Sequence, residues 1–314
     1  MAVFSTTLSQ TVFLFSFIII GYLLSRWKLV PSNSQTVLSK LENYLFIPAL
    51  VLGTFMENFT LQQLRSAGGL LTGSVILAAI AVILAHVCAH LCTKDKYVQK
   101  ISIYGLCFAN FGYMGNAVVS ALFPDLFMEY LIFTLPLWIL IYLWAVPVLL
   151  IGSDSGKQTV AQRLKNFANP MFTATVLGML IGLINIPIPK FINTAVNTAG
   201  SCMSPIAMLL TGMTIAQFNL REILQIKSVY LITALRLLVF PLLFLGAMLL
   251  IPMEKTMATC AICALSMPLG LNTIVIPSAL GKDTKVASGM ALVSHVLSCI
   301  TIPVILALFA YVSV

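Results

Sequence analysis

Apolar residues along this chain gather in long runs, and polar residues concentrate in the short breaks between them. The runs are about 20 residues long, the length of a helix that spans the hydrocarbon core of a bilayer. They are rich in Leu, Ile and Ala and lack the alternation of polar and apolar residues that a membrane barrel strand requires. The pattern predicts ten transmembrane helices, at 8–25, 37–56, 68–92, 101–122, 127–151, 169–187, 192–216, 229–251, 257–280 and 287–312.

Composition supports this prediction and excludes the soluble classes of protein. Of the 314 residues, 60% are hydrophobic and only 8% are charged, and the mean hydropathy is +1.04. A soluble domain carries about 25% charged residues, and a disordered chain has low hydrophobicity. The net charge of +8 lies in short basic clusters between apolar runs, which is typical of membrane topology signals and does not indicate nucleic-acid binding. We predict an all-α integral membrane protein whose surroundings are the lipid bilayer.

Basic residues are distributed unevenly between the two sets of loops. One set carries thirteen Lys and Arg residues, whereas the other carries Arg65, Lys190 and Lys255. Because basic loops stay in the cytoplasm, the first set is predicted to be cytoplasmic, and ten spans then place both termini outside. The first run has no basic region before it and no small-residue cleavage site, so we interpret it as a retained helix. We expect a multi-pass protein of the plasma membrane.

The chain contains an internal repeat of about half its length. A shift of 158 residues places Ser120–Asp125 on Ser278–Asp283, and a shift of 157 places Pro48 on Pro205. Two five-helix halves follow, and the second half must be inverted because five is odd. Inverted repeats with interrupted helices are the architecture of secondary transporters. The predicted domains are a first repeat at 1–151, a short cytoplasmic linker at 152–168 and a second repeat at 169–314.

The fourth and ninth runs contain residues that interrupt membrane helices. Positions 110–116 read NFGYMGN, and Asn and Gly are costly at bilayer depth unless they serve packing or a cavity. Positions 266–273 read SMPLGLNT, where Pro268 breaks or kinks the helix. An interrupted helix exposes an N-terminus whose free N–H groups suit a carboxylate; the alternative is that these residues only permit close packing. The predicted substrate-binding residues are Asn110, Gly112, Gly115, Asn116, Pro268, Asn272 and Thr273.

These features together resemble the auxin efflux carrier family, which includes plant auxin exporters and bacterial permeases for malate or malonate. The resemblance is carried by the ten runs, the five-plus-five repeat, the stretches 110–115 and 268–272, and Asn169-Pro170 at the start of the sixth run. It implies a fold shared with bile acid/sodium symporters, in which helices 4 and 9 cross at the substrate site. Many relatives have Gly-x-Pro where this chain has Gly115-Asn116-Ala117, so we expect the first break to depend on glycines.

Two ionisable residues within the runs, Arg236 and His295, are further candidates. Arg236 lies about eight residues into the eighth run, roughly 12 Å deep at 1.5 Å per residue. It could attract an anion, or its side chain could extend toward the cytoplasmic surface. His295, in the tenth run, could carry a proton or be a hydrogen-bonded core residue. Glu42, at the cytoplasmic end of the second run, is predicted to be interfacial.

Enzymatic and metal sites are not expected. His86 and His90 share one face of a helix whereas Cys88 and Cys92 share another, so the four would form a geometrically poor zinc site. No nucleotide-binding, hydrolase or metalloprotease motif is present. We therefore predict no enzymatic activity, no cofactor and no metal.

The predicted function is secondary transport of a small organic anion by alternating access. Uncharged amides and helix N-termini favour an anion, and the resemblance directs the expectation to malate- or malonate-like carboxylates or an auxin-like aromatic acid. A carrier driven by the membrane potential or by protons is preferred. The alternatives are a sodium-coupled symporter of the bile-acid type, and a channel or receptor-like membrane protein. Whether the protein forms a homodimer is left open.

Overall fold

The fold is helical, as predicted from the sequence. The computed structural model describes residues 2–151, 170–279 and 282–312, and within them no strand is present beyond one isolated bridge. The predicted linker at 152–168 lies outside the described residues, as does Asn169.

The first half of the chain forms seven α-helices, some of which continue into wider π-helical turns. The α-helices are α1 (Ala2–Arg26), α2 (Ser34–Leu41), α3 (Ile47–Asn58), α4 (Leu61–Cys92), α5 (Lys96–Cys107), α6 (Asn116–Leu122) and α7 (Phe127–Leu140). The π-helical segments are Glu42–Phe46, Phe111–Gly115 and Ile141–Ile151, and a short 3₁₀ helix covers Pro124–Leu126. The second predicted span is therefore α2 and α3 joined by a π turn.

The second half contains nine α-helices within the described residues. They are α8 (Pro170–Ile184), α9 (Lys190–Ser201), α10 (Met203–Ile215), α11 (Leu220–Ile223), α12 (Lys227–Ala234), α13 (Phe240–Leu250), α14 (Lys255–Ser266), α15 (Asn272–Ala279) and α16 (Lys285–Val312). A π turn at Leu235–Val239 joins α12 to α13. Helix is thus present in each of the ten predicted runs.

Five helical segments in the described part of the chain are long and apolar enough to cross a membrane alone. They are Ala67–Cys92, Pro124–Ile151, Lys190–Ile215, Lys227–Leu250 and Lys285–Val312. Shorter apolar helices occur at Val12–Arg26, Pro170–Ile184 and Lys255–Ser266. The fourth and ninth runs do not appear as single long helices because each is interrupted.

The helices pack as two groups that meet along α1 and α16. In the first group, α1 packs on α10, and α3 packs on α8 and α9. In the second, α4 packs on α5 and α7, while α14 contacts α7 and α16. Close approach within the first group depends on glycines, since small residues let membrane helices come into backbone contact. A Cβ atom on Gly212 of α10 would overlap the carbonyl oxygen of Ile18 of α1.

We expect Gly212→Val to destabilise the protein by roughly 1–3 kcal/mol or more, because the added side chain forces α1 and α10 apart. Thermal unfolding in detergent measures the effect. Gly246→Val is the matched control, since a Cβ at Gly246 meets no atom within 4 Å. Equal melting temperatures for the two variants would show that the packing of α1 on α10 does not depend on this glycine.

Candidate functional site

The two interrupted helices meet at their breaks. Helix α5 ends at Cys107 and the backbone turns extended at Phe108, while α14 ends at Ser266 and is extended at Met267. The Asn110 N–H donates to the Pro268 carbonyl at 2.7 Å, and Ala109 pairs with Leu269 in a short antiparallel bridge. Unwound backbone at membrane depth needs protein partners. Here each break provides some of the hydrogen-bond partners that the backbone of the other break requires.

The residues at the breaks explain this close pairing. Pro268 has no N–H to continue the α14 ladder. Gly270 allows backbone contact, since a Cβ there would lie 2.6 Å from the Phe108 carbonyl oxygen. The predicted position of the first break, at Gly112 and Gly115, was wrong: the extended residues come before both glycines, which lie in the following π turn.

The two glycines of that turn instead make room for aromatic side chains. A Cβ on Gly112 would contact the indole of Trp138, and one on Gly115 would overlap the hydroxyl of Tyr130. The Tyr130 hydroxyl donates to the Phe111 carbonyl at 3.1 Å. Packing by α7 therefore fixes the segment that follows the first break.

Arg236 joins the C-terminal ends of both half-helices. Its guanidinium donates from Nη1 to the carbonyl of Leu106 at 2.9 Å, from Nη2 to that of Ala264 at 3.0 Å and from Nε to that of Met267 at 3.2 Å. Helix C-termini leave carbonyls without helical partners and carry partial negative charge. Arg236 is 1% exposed, so the alternative that its side chain extends to the cytoplasmic surface is wrong. Its proposed attraction for an anion stays a prediction.

His295 is hydrogen-bonded at both ring nitrogens. Nδ1 lies 2.7 Å from the Ala291 carbonyl, which can only accept, so Nδ1 carries the proton. Nε2 then accepts from the side-chain amide of Asn110 at 2.9 Å. This arrangement suits a neutral, buried histidine that holds the first break in place. A proton-carrying role for His295 stays a prediction.

A cavity of about 220 Å³ lies beside the paired breaks. Its walls include four aromatic and two amide side chains. The lining residues are Asn43, Tyr44, Ile47, Tyr113, Trp138, Tyr142, Pro170, Met171 and Asn272. Trp138 and Tyr142 stack with ring centroids 6.1 Å apart. The Asn272 amide donates to the Tyr104 hydroxyl at 2.9 Å, which orients it at the start of α15. No charged side chain lines this cavity among the described residues.

The structure places the predicted site residues in different surroundings. Asn272 lines the cavity, whereas Asn110 and Pro268 form the contact between the breaks. Asn116 is buried at the start of α6 and is not among the described residues that line the cavity. The Thr273 hydroxyl donates to the Gly270 carbonyl at 2.8 Å and is used within the backbone turn.

Sequence reasoning missed two residues of the second span. Asn43 lines the cavity, and the prediction that Glu42 is interfacial was wrong because its side chain is 0% exposed. The sequence contained one indication of their importance: an acidic residue and an amide stand next to each other within an apolar run. The helices that cover Glu42 come from distant parts of the chain, so the run alone places it near the bilayer surface.

A second cavity, of about 370 Å³, lies at the other end of α3. Its polar lining includes three carboxylates and three further polar residues, namely Thr54, Glu57, Asn58, Asp125, Glu129 and Asn197. The two cavities thus lie at opposite ends of the second predicted span.

Paired helix breaks beside a cavity, in an apolar helical protein, are typical of membrane transporters. Residues 6–306 match the family model described as membrane transport protein. The chain belongs to this family, and the resemblance to auxin efflux carriers is confirmed. It is therefore a multi-pass membrane transporter. No curated protein shows significant sequence similarity to it.

We expect Arg236→Met to destabilise the protein by about 3 kcal/mol or more, since each hydrogen bond to a charged group contributes roughly 1.5–3 kcal/mol. Arg236→Lys should rescue little, because one ammonium cannot reproduce the planar fork. Thermal unfolding in detergent provides the measurement, with Arg221→Met, at an exposed position in the short helix α11, as control. Unchanged stability with weakened anion binding would favour the anion-attracting role instead.

Proposed function

We propose that this protein is a secondary carrier of small organic anions, most plausibly mono- or dicarboxylates of the malate, malonate or auxin type. The observation that carries the proposal is the hydrogen-bonded pairing of the two breaks at Asn110 and Pro268, with Asn272 facing a cavity beside it. Asn272 is the proposed direct contact. Around it, the backbone of the site is proposed to be built by Asn110, Gly112, Gly115, Asn116, Pro268 and Thr273.

We also propose ten spans arranged as two inverted halves, 1–151 and 169–314, in which helices 4 and 9 cross. The two interrupted runs support this arrangement. Helix α5 and helix α14 each have 12 residues, and each is followed by an extended break and a second helix. Equal half-helices at equivalent places are expected of an internal repeat.

The chemistry of the smaller cavity suits a carboxylate with an apolar body. Amide side chains donate hydrogen bonds without adding a charge, and aromatic walls pack against carbon. A volume of about 220 Å³ is large enough for a small acid. Residues of the π turn that follows α2 and the first residues of α8 line this cavity, on the proposed cytoplasmic side, while the larger cavity lies toward the proposed external side. Alternating access would expose the site to each cavity in turn.

The proposed topology places Lys94 in the cytoplasm and Lys190 outside. Single-cysteine variants Lys94→Cys and Lys190→Cys, made without the seven native cysteines, are tested in intact cells with a membrane-impermeant thiol reagent. We expect labelling at position 190 in intact cells and at position 94 only after permeabilisation. The reverse pattern would invert the proposed orientation.

Replacing Asn272 by Leu should weaken carboxylate binding by roughly ten- to a hundredfold, because one hydrogen bond to a charged group is lost. Uptake of radiolabelled malonate, malate and indole-3-acetate into proteoliposomes is the measurement, with the corresponding neutral amides as competitors. Asn33→Leu, at an exposed loop position, is the matched control.

Three outcomes would contradict the proposed function. Stronger competition by the neutral amides than by the acids would exclude an anion carrier. Currents that rise with concentration without saturation would indicate a channel. Uptake that stops when sodium is replaced by choline, at fixed potential and pH, would indicate the sodium-coupled alternative.

A further inference from the structure

Glu42 is a buried carboxyl for which the described residues provide no hydrogen-bond partner. The side chain is 0% exposed, and neither carboxylate oxygen accepts or donates a hydrogen bond within the described part of the chain. It is the first residue of the π turn that joins α2 to α3. Single π turns within helices frequently occur at functional sites.

An unpartnered carboxylate of this kind is costly when ionised. Burying an isolated charge away from water costs far more than burying a neutral polar group, so such a group takes up a proton instead. A protonated carboxyl is the form that this environment tolerates.

The elements packed against the π turn supply no counter-charge within the described residues. Helices α8 and α10 contain no ionisable side chain. On α2, Lys40 is exposed to solvent. Glu57 is at the far end of α3, about 22 Å along a helix from Glu42. Lys190 is the first residue of α9, and it is the opposite end of α9 that packs on α3. Tyr113 lies near Glu42, but a phenol carries no positive charge and so provides no counter-charge.

Tyr113 also connects Glu42 to the candidate substrate cavity. Tyr113 lines that cavity together with Asn43 and Tyr44, the two residues that follow Glu42 in the π turn. The π turn belongs to the first helix group, whereas Tyr113 belongs to the segment that follows the first break. Glu42 therefore lies where a movement of one group against the other would change its access to water.

We infer that Glu42 is a proton-binding site that couples proton movement to anion transport, an inference that rests on the proposed function. One proton binds to the carboxylate to give the neutral acid and leaves when the site opens to water; no other bond forms or breaks. The neutral acid removes a negative charge next to the cavity, so a carboxylate substrate binds more readily. Proton and anion are then carried in the same direction, and anion affinity falls as the pH rises.

The first test reports on the proton without any substrate. Infrared spectroscopy of the purified protein at neutral pH should show the carbonyl band of a protonated carboxyl, which is absent from Glu42→Gln and shifted in Glu42→Asp. Glu254→Gln, at an exposed position, should retain the band. A wild-type protein without the band, or a Glu42→Gln variant that keeps it, would overturn the proton site.

The second test measures coupling with radiolabelled malonate in proteoliposomes. An inwardly directed proton gradient should drive accumulation by the wild type and by Glu254→Gln. Glu42→Gln mimics the neutral acid, so it should exchange malonate at a rate that does not vary with pH but should lose gradient-driven accumulation. Glu42→Asp keeps a carboxyl and should retain accumulation. Wild-type coupling in Glu42→Gln would overturn the inference.

The two tests separate this inference from the proposed function. If the wild type moves none of malonate, malate and indole-3-acetate while the band is present and is assigned to Glu42, the anion carrier fails and the proton site is supported. If malonate is carried with a dependence on sodium and none on pH, the carrier is supported and the coupling by Glu42 is overturned.

Discussion

The structure depends on how it satisfies the backbone of two helices that are broken inside an apolar protein. In a bilayer no water is available to hydrogen-bond unwound backbone, so the partners must come from protein. The N–H of Asn110 finds the carbonyl of Pro268 in the opposite break. The C-terminal carbonyls of both half-helices receive the guanidinium of Arg236. Each break is therefore stable only because the other is present.

This mutual dependence fixes the position of the cavity. Because α15 starts directly after the second break, Asn272 is held next to the crossing chain, with its amide oriented by Tyr104. The π turn after the first break brings Tyr113 to the same place, and Gly112 lets the indole of Trp138 approach it. The aromatic and amide groups that line the cavity thus derive from the interruptions themselves, and a continuous helix in either run would remove them.

Much of the helical architecture could be predicted from the sequence, because helix length and the chemistry of proline act locally. The apolar runs and the break at Pro268 needed only the residues in those segments. The partners of Arg236 could not be predicted in this way, since Leu106 is 130 residues distant in the chain. For the same reason Glu42 was placed at the surface: a run of residues shows how apolar a helix is, but not which helices cover its end. The first break was misplaced because the glycines at 112 and 115 serve the packing of α7, which their spacing alone does not reveal.

Among the described residues, one arginine, one histidine and one glutamate are buried, and each meets the cost of desolvation differently. Arg236 keeps hydrogen bonds by donating to three backbone carbonyls, which are partly negative at helix C-termini. His295 avoids charge altogether, because one ring nitrogen donates and the other accepts. Glu42 has neither arrangement within the described residues, so the remaining way to avoid a bare buried charge is to bind a proton. The first two groups are satisfied by the fold and hold the breaks together. Glu42, in contrast, becomes neutral only by binding a proton from solution, and a proton-coupling site requires this property.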